Sequence, residues 1–302
     1  MGSPSAPRAN PRFAPTKNNF ENELVFKVIM PLLEITNLSH NFGGLCALTK
    51  FSLEVKAGEL VGLIGPNGAG KTTIFNLITG VFKVHEGVIK FQGQDITHWR
   101  SHRISSRGIA RTFQNIRLFK ELSVLDNVRL GAYARHAYSL LDAVGRSRNF
   151  RREEERQRQR AEALLARFNL SRYAGAPARN LPYGEQRRVE MARALISEPR
   201  LLLLDEPAAG MNQSETQELI RLILEIKEEF SLTIILIEHQ MRVVQNLCQW
   251  VKVLDFGETI ASGPPREIQQ HPKVLAAYLG QDGALVEEEM ENSASRSVIV
   301  GQ

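Results

Sequence analysis

The octapeptide Gly65-Pro66-Asn67-Gly68-Ala69-Gly70-Lys71-Thr72 constrains this chain more than any other stretch. It fits the pattern GxxxxGK[ST] and stands between a compact apolar run, Leu60–Ile64, and a helical pattern over Lys71–Ile78 that ends near Gly80. Strand, glycine-rich loop and helix in that order form a cradle for phosphate. The glycines let backbone N–H groups converge on the phosphates, and the helix beginning there adds its positive end. Lys71 reaches the terminal phosphates and Thr72 offers a hydroxyl to magnesium, with Thr73 beside it in the first turn. At average glycine usage a chance match somewhere in 302 residues is on the order of one in a hundred, and the flanking strand and helix lower that further. The cradle is read as a nucleotide site.

The second half of the chain supplies what such a site needs. After Leu181 strands and helices alternate: a helix from about Glu185 to Ile196, the strand Leu201–Leu204, a helix opened by Ser214 and Gln217, and the strand Thr233–Ile237. Both strands are apolar without alternation, as parallel strands covered by helices on both faces should be. Both end in polar pairs, Asp205-Glu206 and Glu238-His239, so chemistry is expected at their carboxyl ends. Asp205 can hold the metal through water, and Glu206 can orient or deprotonate a water attacking the terminal phosphate. His239, on the neighbouring strand, can hydrogen-bond that phosphate or the water.

Ahead of the cradle, Leu33–Ile35 and Phe51–Val55 predict strands of an antiparallel edge sheet, with turns at Gly43-Gly44 and Ala57-Gly58. Between about 99 and 175 the pattern turns helical. Ser123 with Asp126 reads as a capping box, Ala161, Leu164, Leu165 and Phe168 form one apolar stripe, and Glu154 is placed to pair with Arg158. This block holds 17 Lys or Arg against 7 Asp or Glu in a chain whose net charge is only +5. Lacking interleaved aromatics, it reads as a solvated helix face and docking surface rather than a nucleic-acid patch. Residues 1–30, rich in proline and poor in apolar side chains, predict a disordered leader, and Ala6 stands where myristoylation wants Ser or Thr. Residues 281–302, with Glu287, Glu288, Glu289 and Glu291, predict a flexible acidic tail. No apolar run approaches the roughly 18 residues of a membrane-spanning helix. Cys46 and Cys248 alone support neither a disulfide framework nor a structural zinc, so a reducing, cytoplasmic setting fits.

Leu181-Pro182-Tyr183-Gly184-Glu185-Gln186 resembles the LSGGQ signature of the ABC ATPases. With the cradle, Gln114, Asp205-Glu206 and His239 in the right order, the resemblance covers a domain at 31–280. It implies an α/β fold, the P-loop NTPase fold of ABC ATPases, with a parallel core sheet, an antiparallel β subdomain and a helical subdomain inserted at about 115–180. It implies ATP and Mg2+ as cofactors. It also implies two chains stacked head to tail, as a homodimer or a heterodimer with a related ATPase subunit, each signature facing the terminal phosphate held by the other chain. By position, Gln114 matches the glutamine that touches magnesium and the attacking water, and Phe42 the aromatic that stacks on adenine. Glu206, His239 and Gln114 are thus the catalytic candidates, and Thr72, Gln114 and Asp205 the metal candidates. The signature departs from its family at three places: Pro182 replaces a serine and removes a hydroxyl, Tyr183 replaces a glycine, and Glu185 replaces a glutamine. Gly184 is intact.

Within the ABC ATPases, the run from Leu204 to Asn212 with Glu215-Thr216, Glu238-His239-Gln240-Met241 and Ala277-Tyr278-Leu279-Gly280 is most similar to the ATPase subunits of branched-chain or neutral amino-acid importers. Asn212 stands where most ABC ATPases have an aspartate, and that importer group also commonly carries asparagine. Such a subunit sits peripherally on the cytoplasmic face of the inner membrane. The resemblance further implies membrane permease subunits that dock short helices beside the Gln114 segment, and a periplasmic substrate-binding protein that acts through them. ATPases for other cargo, such as lipopolysaccharide export or urea import, share much of this pattern. A non-transport ABC protein acting on nucleic acid usually carries two phosphate loops in tandem, and this chain shows one, so no nucleic acid is expected.

Overall fold

The computed structural model describes residues 30–135 and 147–279. The expected acidic tail, and all but the last residue of the expected leader, lie outside them. Two sheets organise the chain. Strands β1 (Leu33–Phe42), β2 (Leu45–Val55), β4 (Glu86–Phe91) and β5 (Gln94–Asp95) form an antiparallel sheet in the order β2-β1-β4-β5. The core sheet takes β3 (Leu60–Ile64), β6 (Ile109–Arg111), β7 (Leu201–Asp205), β8 (Thr233–Ile237), β9 (Trp250–Asp255) and β10 (Glu258–Gly263) in the order β10-β9-β3-β8-β7-β6. Its strands are parallel except β10, which returns antiparallel on β9.

The unalternating apolar strands have the expected cause. Leu202 and Leu204 of β7, with Ile234 and Leu236 of β8, belong to a core on the side of the inserted helices. Leu201, Leu203, Ile235 and Ile237 belong to a second core shared with Leu33, Ile35 and Phe91 of the antiparallel sheet. Each such side chain contributes roughly 1.5–3 kcal/mol by leaving water, so both faces hold the core strands in register.

The helices are α1 (Lys71–Ile78), α2 (Ser101–Arg107), α3 (Val124–Leu130), α4 (Arg148–Arg167), α5 (Tyr183–Leu195), α6 (Gln213–Glu229), α7 (Met241–Leu247), α8 (Pro265–Gln269) and α9 (Pro272–Leu279). The stripe Ala161, Leu164, Leu165 and Phe168 of α4 and its C-terminal end is buried as expected. Three local expectations are corrected. Helix α6 opens at Asn212, not Ser214: the Asn212 side chain accepts from the Glu215 N–H at 3.0 Å, and the Glu215 carboxylate accepts from the Asn212 N–H at 2.9 Å. Glu154 and Arg158 do not pair; Glu154 accepts from Arg129 of α3, while Arg158 donates forward to Glu162. Ser123 caps α3 by accepting from the Asp126 N–H, but the Asp126 carboxylate takes the Ser123 hydroxyl and Arg129 instead of closing the reciprocal backbone bond.

Candidate functional site

The strand order decides where the site lies. Because β6, β7, β8 and β3 are neighbours and parallel, their carboxyl ends bring four segments to one edge. These are Thr112–Gln114 after β6, Asp205-Glu206 at the end of β7, Glu238-His239 after β8, and the loop Gly65–Gly70 after β3.

The loop is shaped by its surroundings. Gly65 has φ 146°, and a Cβ there would lie 2.0 Å from the Leu254 carbonyl oxygen. At Gly70, with φ 101°, it would lie 2.6 Å from the carbonyl oxygen of Ala47. Neither position has room for a side chain, so close approach by β9 and β2 fixes both ends of the arch. Gly257 pins it further by donating to the Ala69 carbonyl at 3.1 Å. Pro66 and Ala69 are buried, whereas Asn67 and Gly68 face out. The buried Lys71 folds into the arch, its Nζ donating to the carbonyls of Gly65 at 2.6 Å and Pro66 at 2.7 Å. Burial pushes its pKa down, while Glu206 and Asp205 act in the opposite direction. Helix α1 has no side-chain cap and no acidic residue in its first turn, so its leading N–H groups suit an anion. Thr72 is exposed and Thr73 half-buried in that turn.

Asp205 is the buried carboxylate of the edge, its side chain 3% exposed. Oδ2 accepts from Arg111 Nη2 at 2.8 Å, and Arg111 Nη1 donates to Asn76 Oδ1 at 2.6 Å. Burial pushes the Asp205 pKa up, and the Arg111 hydrogen bond and charge oppose that. Its other oxygen, Oδ1, is buried with no hydrogen-bond partner. An unpartnered buried carboxylate oxygen fits a cation or a cation-bound water. Among the described residues no group of three or more His, Cys, Asp or Glu could cage a metal. Mg2+ takes few protein oxygens and relies on phosphate and water for the rest, so the unpartnered Asp205 Oδ1 is the atom of this edge that fits it.

The three catalytic candidates come together. Gln114 Nε2 donates to Glu206 Oε2 at 2.7 Å, and His239 Nδ1 lies 3.7 Å from the same oxygen. The Glu206 backbone has φ 45° and is held by its N–H donating to Ile237 of β8 at 2.9 Å. Sequence reasoning placed Glu238 only as a polar strand end; it is fully buried and organises the turn. Its Oε1 accepts from the Ala208 N–H at 3.0 Å and its Oε2 from the His239 N–H at 3.1 Å, tying the histidine to the loop after Glu206. Arg111 and Arg187 were also missed as site residues. Nothing in their sequence context separates them from the chain's many other arginines.

The remaining candidates are not part of that convergence. Among the described residues, no hydrogen bond or ion pair joins Leu181–Gln186 to Gly65–Thr73 of the same chain. Pro182 precedes α5 without a side-chain cap, and Gln186 Nε2 donates back to the Leu181 carbonyl at 2.8 Å. Tyr183 is 45% exposed, and a Cβ on Gly184 would meet nothing within 4 Å. Glu185 Oε2 is buried without a partner, and Oε1 lies 4.0 Å from Arg172. Phe42 ends β1 with its ring 46% exposed, edge-on to His40 and Phe82 at centroid distances of 4.7 and 5.3 Å.

A core sheet presenting these four segments at one edge, with an antiparallel sheet on one face and inserted helices on the other, is the architecture of an ATP-binding cassette. Residues 48–209 match the family described as ABC transporter, and 258–284 match the branched-chain amino acid ATP-binding cassette transporter family. The chain is 40% identical over 251 residues to the high-affinity branched-chain amino acid transport ATP-binding protein BraF of Pseudomonas aeruginosa, covering 83% of this chain and 98% of that one. The ADP conformation of MJ1267, an ATP-binding cassette of an ABC transporter, is similar with TM-score 0.73 and 32% identity over 83% of this chain and 100% of that chain. The dimeric, ADP- and Pi-bound cassette MJ0796 is similar with TM-score 0.66 and 25% identity, covering 78% and 99%. The chain belongs to the ABC transporter family and is one of its ATP-binding, ATP-hydrolysing subunits. Among the described residues, no helix is long and apolar enough to cross a membrane.

Proposed function

We propose that this chain powers an importer of branched-chain or other neutral amino acids. It would act as a dimer with a second copy or a related ATPase subunit, at the cytoplasmic face of the inner membrane. The observation that carries the reading is the meeting of Gln114 and His239 at the Glu206 carboxylate, beside a phosphate loop, in a chain similar to BraF over nearly the whole of that protein.

The residues divide the work as follows. Gly65–Gly70 and the first turn of α1 bind the phosphates through backbone N–H groups. Lys71 exchanges its two loop carbonyls for phosphate oxygens, and Phe42 offers its exposed ring to the adenine. Asp205, Thr72 and Gln114 hold Mg2+, which when bound offsets charge on the phosphates. Glu206 Oε2 orients a water and takes its proton, Gln114 fixes that carboxylate, and His239 donates to the terminal phosphate. Leu181–Gln186 of each chain, led by the open backbone at Gly184, covers the phosphate held by the other. A cavity of about 410 Å³, lined among others by Ile104, Phe113, Phe119, Glu190 and Arg193, receives a short helix of a membrane permease. A periplasmic binding protein delivers cargo to that permease.

The test is transport. Reconstituted in vesicles with its membrane partners, the chain is expected to drive uptake of labelled leucine that depends on internal ATP and is lost in Lys71→Ala. ATP turnover coupled to the partners without uptake of any neutral amino acid would overturn the cargo.

A further inference from the structure

Arg187 is the largest fully buried side chain among the described residues, and Glu190, one turn further along α5, is 1% exposed. Burying two charges is costly unless hydrogen bonds satisfy their remaining capacity, and an apolar pair of similar volume often serves stability as well. Here most of that capacity is spent on one stretch of backbone, while Arg187 Nε stays buried without a partner. Arg187 Nη1 donates to the Phe113 carbonyl at 2.5 Å and to Glu190 Oε2 at 3.0 Å. Its Nη2 donates to the Gln114 carbonyl at 2.7 Å and to the Tyr183 hydroxyl at 3.0 Å. Glu190 Oε1 accepts from the N–H groups of Phe113 at 3.3 Å and Arg117 at 3.4 Å.

We infer that Arg187 and Glu190 are positioning residues that clamp the Phe113–Arg117 backbone to the signature helix, so that the placement of α5 sets the reach of Gln114 to Glu206. One guanidinium touches both ends of the linkage: Tyr183 in the signature, and the carbonyls of Phe113 and Gln114 on either side of the Gln114 α-carbon. The Gln114 side chain leaves that held backbone and meets Glu206 Oε2 at 2.7 Å. A displacement of α5 therefore moves Gln114 relative to β7, whose end carries Glu206. Phe113 and Glu190 also line the groove beside α2 and α3, so an occupant of the groove bears on the same clamp.

The inference rests on Gln114 and Glu206 being the hydrolytic pair, and a double-mutant cycle in the full chain tests the two separately. ATP turnover and affinity for a fluorescent ATP analogue are measured for Arg187→Met, Gln114→Ala and the double variant. Arg187→Met is expected to lower kcat roughly 10- to 100-fold, the scale of a misplaced reacting group, with KM and analogue affinity within about twofold. In the Gln114→Ala background the same change should slow turnover little further, because its route is already cut. If Arg187→Met slows the Gln114→Ala protein by its full factor again, the clamp does not act through Gln114 and the inference is overturned. If Gln114→Ala alone leaves kcat unchanged, the hydrolytic reading of Gln114 fails and takes the inference with it. Should Arg187→Met not fold, Arg187→Lys replaces it in the cycle with the same expectations. A lysine keeps the charge against Glu190 but cannot present a planar fork to both carbonyls.

Discussion

Glu206 holds a left-handed backbone conformation at φ 45°, which a non-glycine residue keeps at a cost on the order of 1 kcal/mol and only where its surroundings over-determine it. The surroundings are its N–H bond to β8 and its carboxylate's contact with Gln114. Glu206→Gln retains size and a hydrogen-bonding partner for Gln114 but cannot accept a proton from water. Turnover is expected to fall about 10²- to 10⁴-fold while nucleotide binding stays near its original affinity. Phosphate release and analogue binding measured side by side check this, and turnover within a few-fold of the unaltered protein would remove Glu206 as the base. The sequence made this residue legible because a carboxylate pair ending four leucines, downstream of a phosphate loop, has few other uses. Arg111, Arg187 and Glu238 were not legible for the opposite reason. A buried arginine and a surface arginine read alike along a chain, and only the folded sheet places Arg111 on Asp205 and Arg187 on the Gln114 backbone.

At the scale of elements, periodicity located strands more firmly than helix ends. Leu60–Ile64 and Thr233–Ile237 lie where their apolar runs begin and end, because both faces of the core sheet are buried and the run itself is the strand. Helix starts depend on which polar side chain wins a backbone N–H. Ser214 and Asn212 both precede an acceptor three residues on, and the structure gives the cap to Asn212, whose partner Glu215 carries a charge that favours the positive end of α6. Asn212→Ala is expected to cost about 1 kcal/mol, or roughly 1–2 °C in the melting temperature of a chain this size, measured without nucleotide. Asn212→Asp keeps the acceptor and should melt with the unaltered protein, whereas Ser214→Ala should change little. Equal destabilisation by Ser214→Ala and Asn212→Ala would contradict the assignment. The misplaced Glu154–Arg158 pair has a similar origin. Spacing along α4 allowed it, but Arg129 from α3 offered Glu154 a partner that helical spacing does not show.

At the scale of the molecule, the phosphate loop and the Leu181–Gln186 segment, proposed above to complete each other's site across two chains, do not meet within one chain. The phosphate loop turns Asn67 and Gly68 outward, the signature shows Tyr183 and an open Gly184, and no polar contact joins them among the described residues. Two chains related by a two-fold axis can each supply what the other lacks, with ATP contributing much of the shared surface. Blocking hydrolysis should therefore trap the pair. In Glu206→Gln, saturating ATP and Mg2+ are expected to double the scattering mass from the 33.9 kDa of one chain, and nucleotide removal should reverse it. Gly184→Val separates this from any general effect of nucleotide on folding. The space around Gly184 within its own chain accommodates a side chain, so the monomer should remain folded, while the added bulk would face the partner's phosphate. Combined with Glu206→Gln it should bind ATP and stay monomeric. A Glu206→Gln protein that remains one chain under saturating nucleotide would mean that its two half-sites do not complete each other in this way.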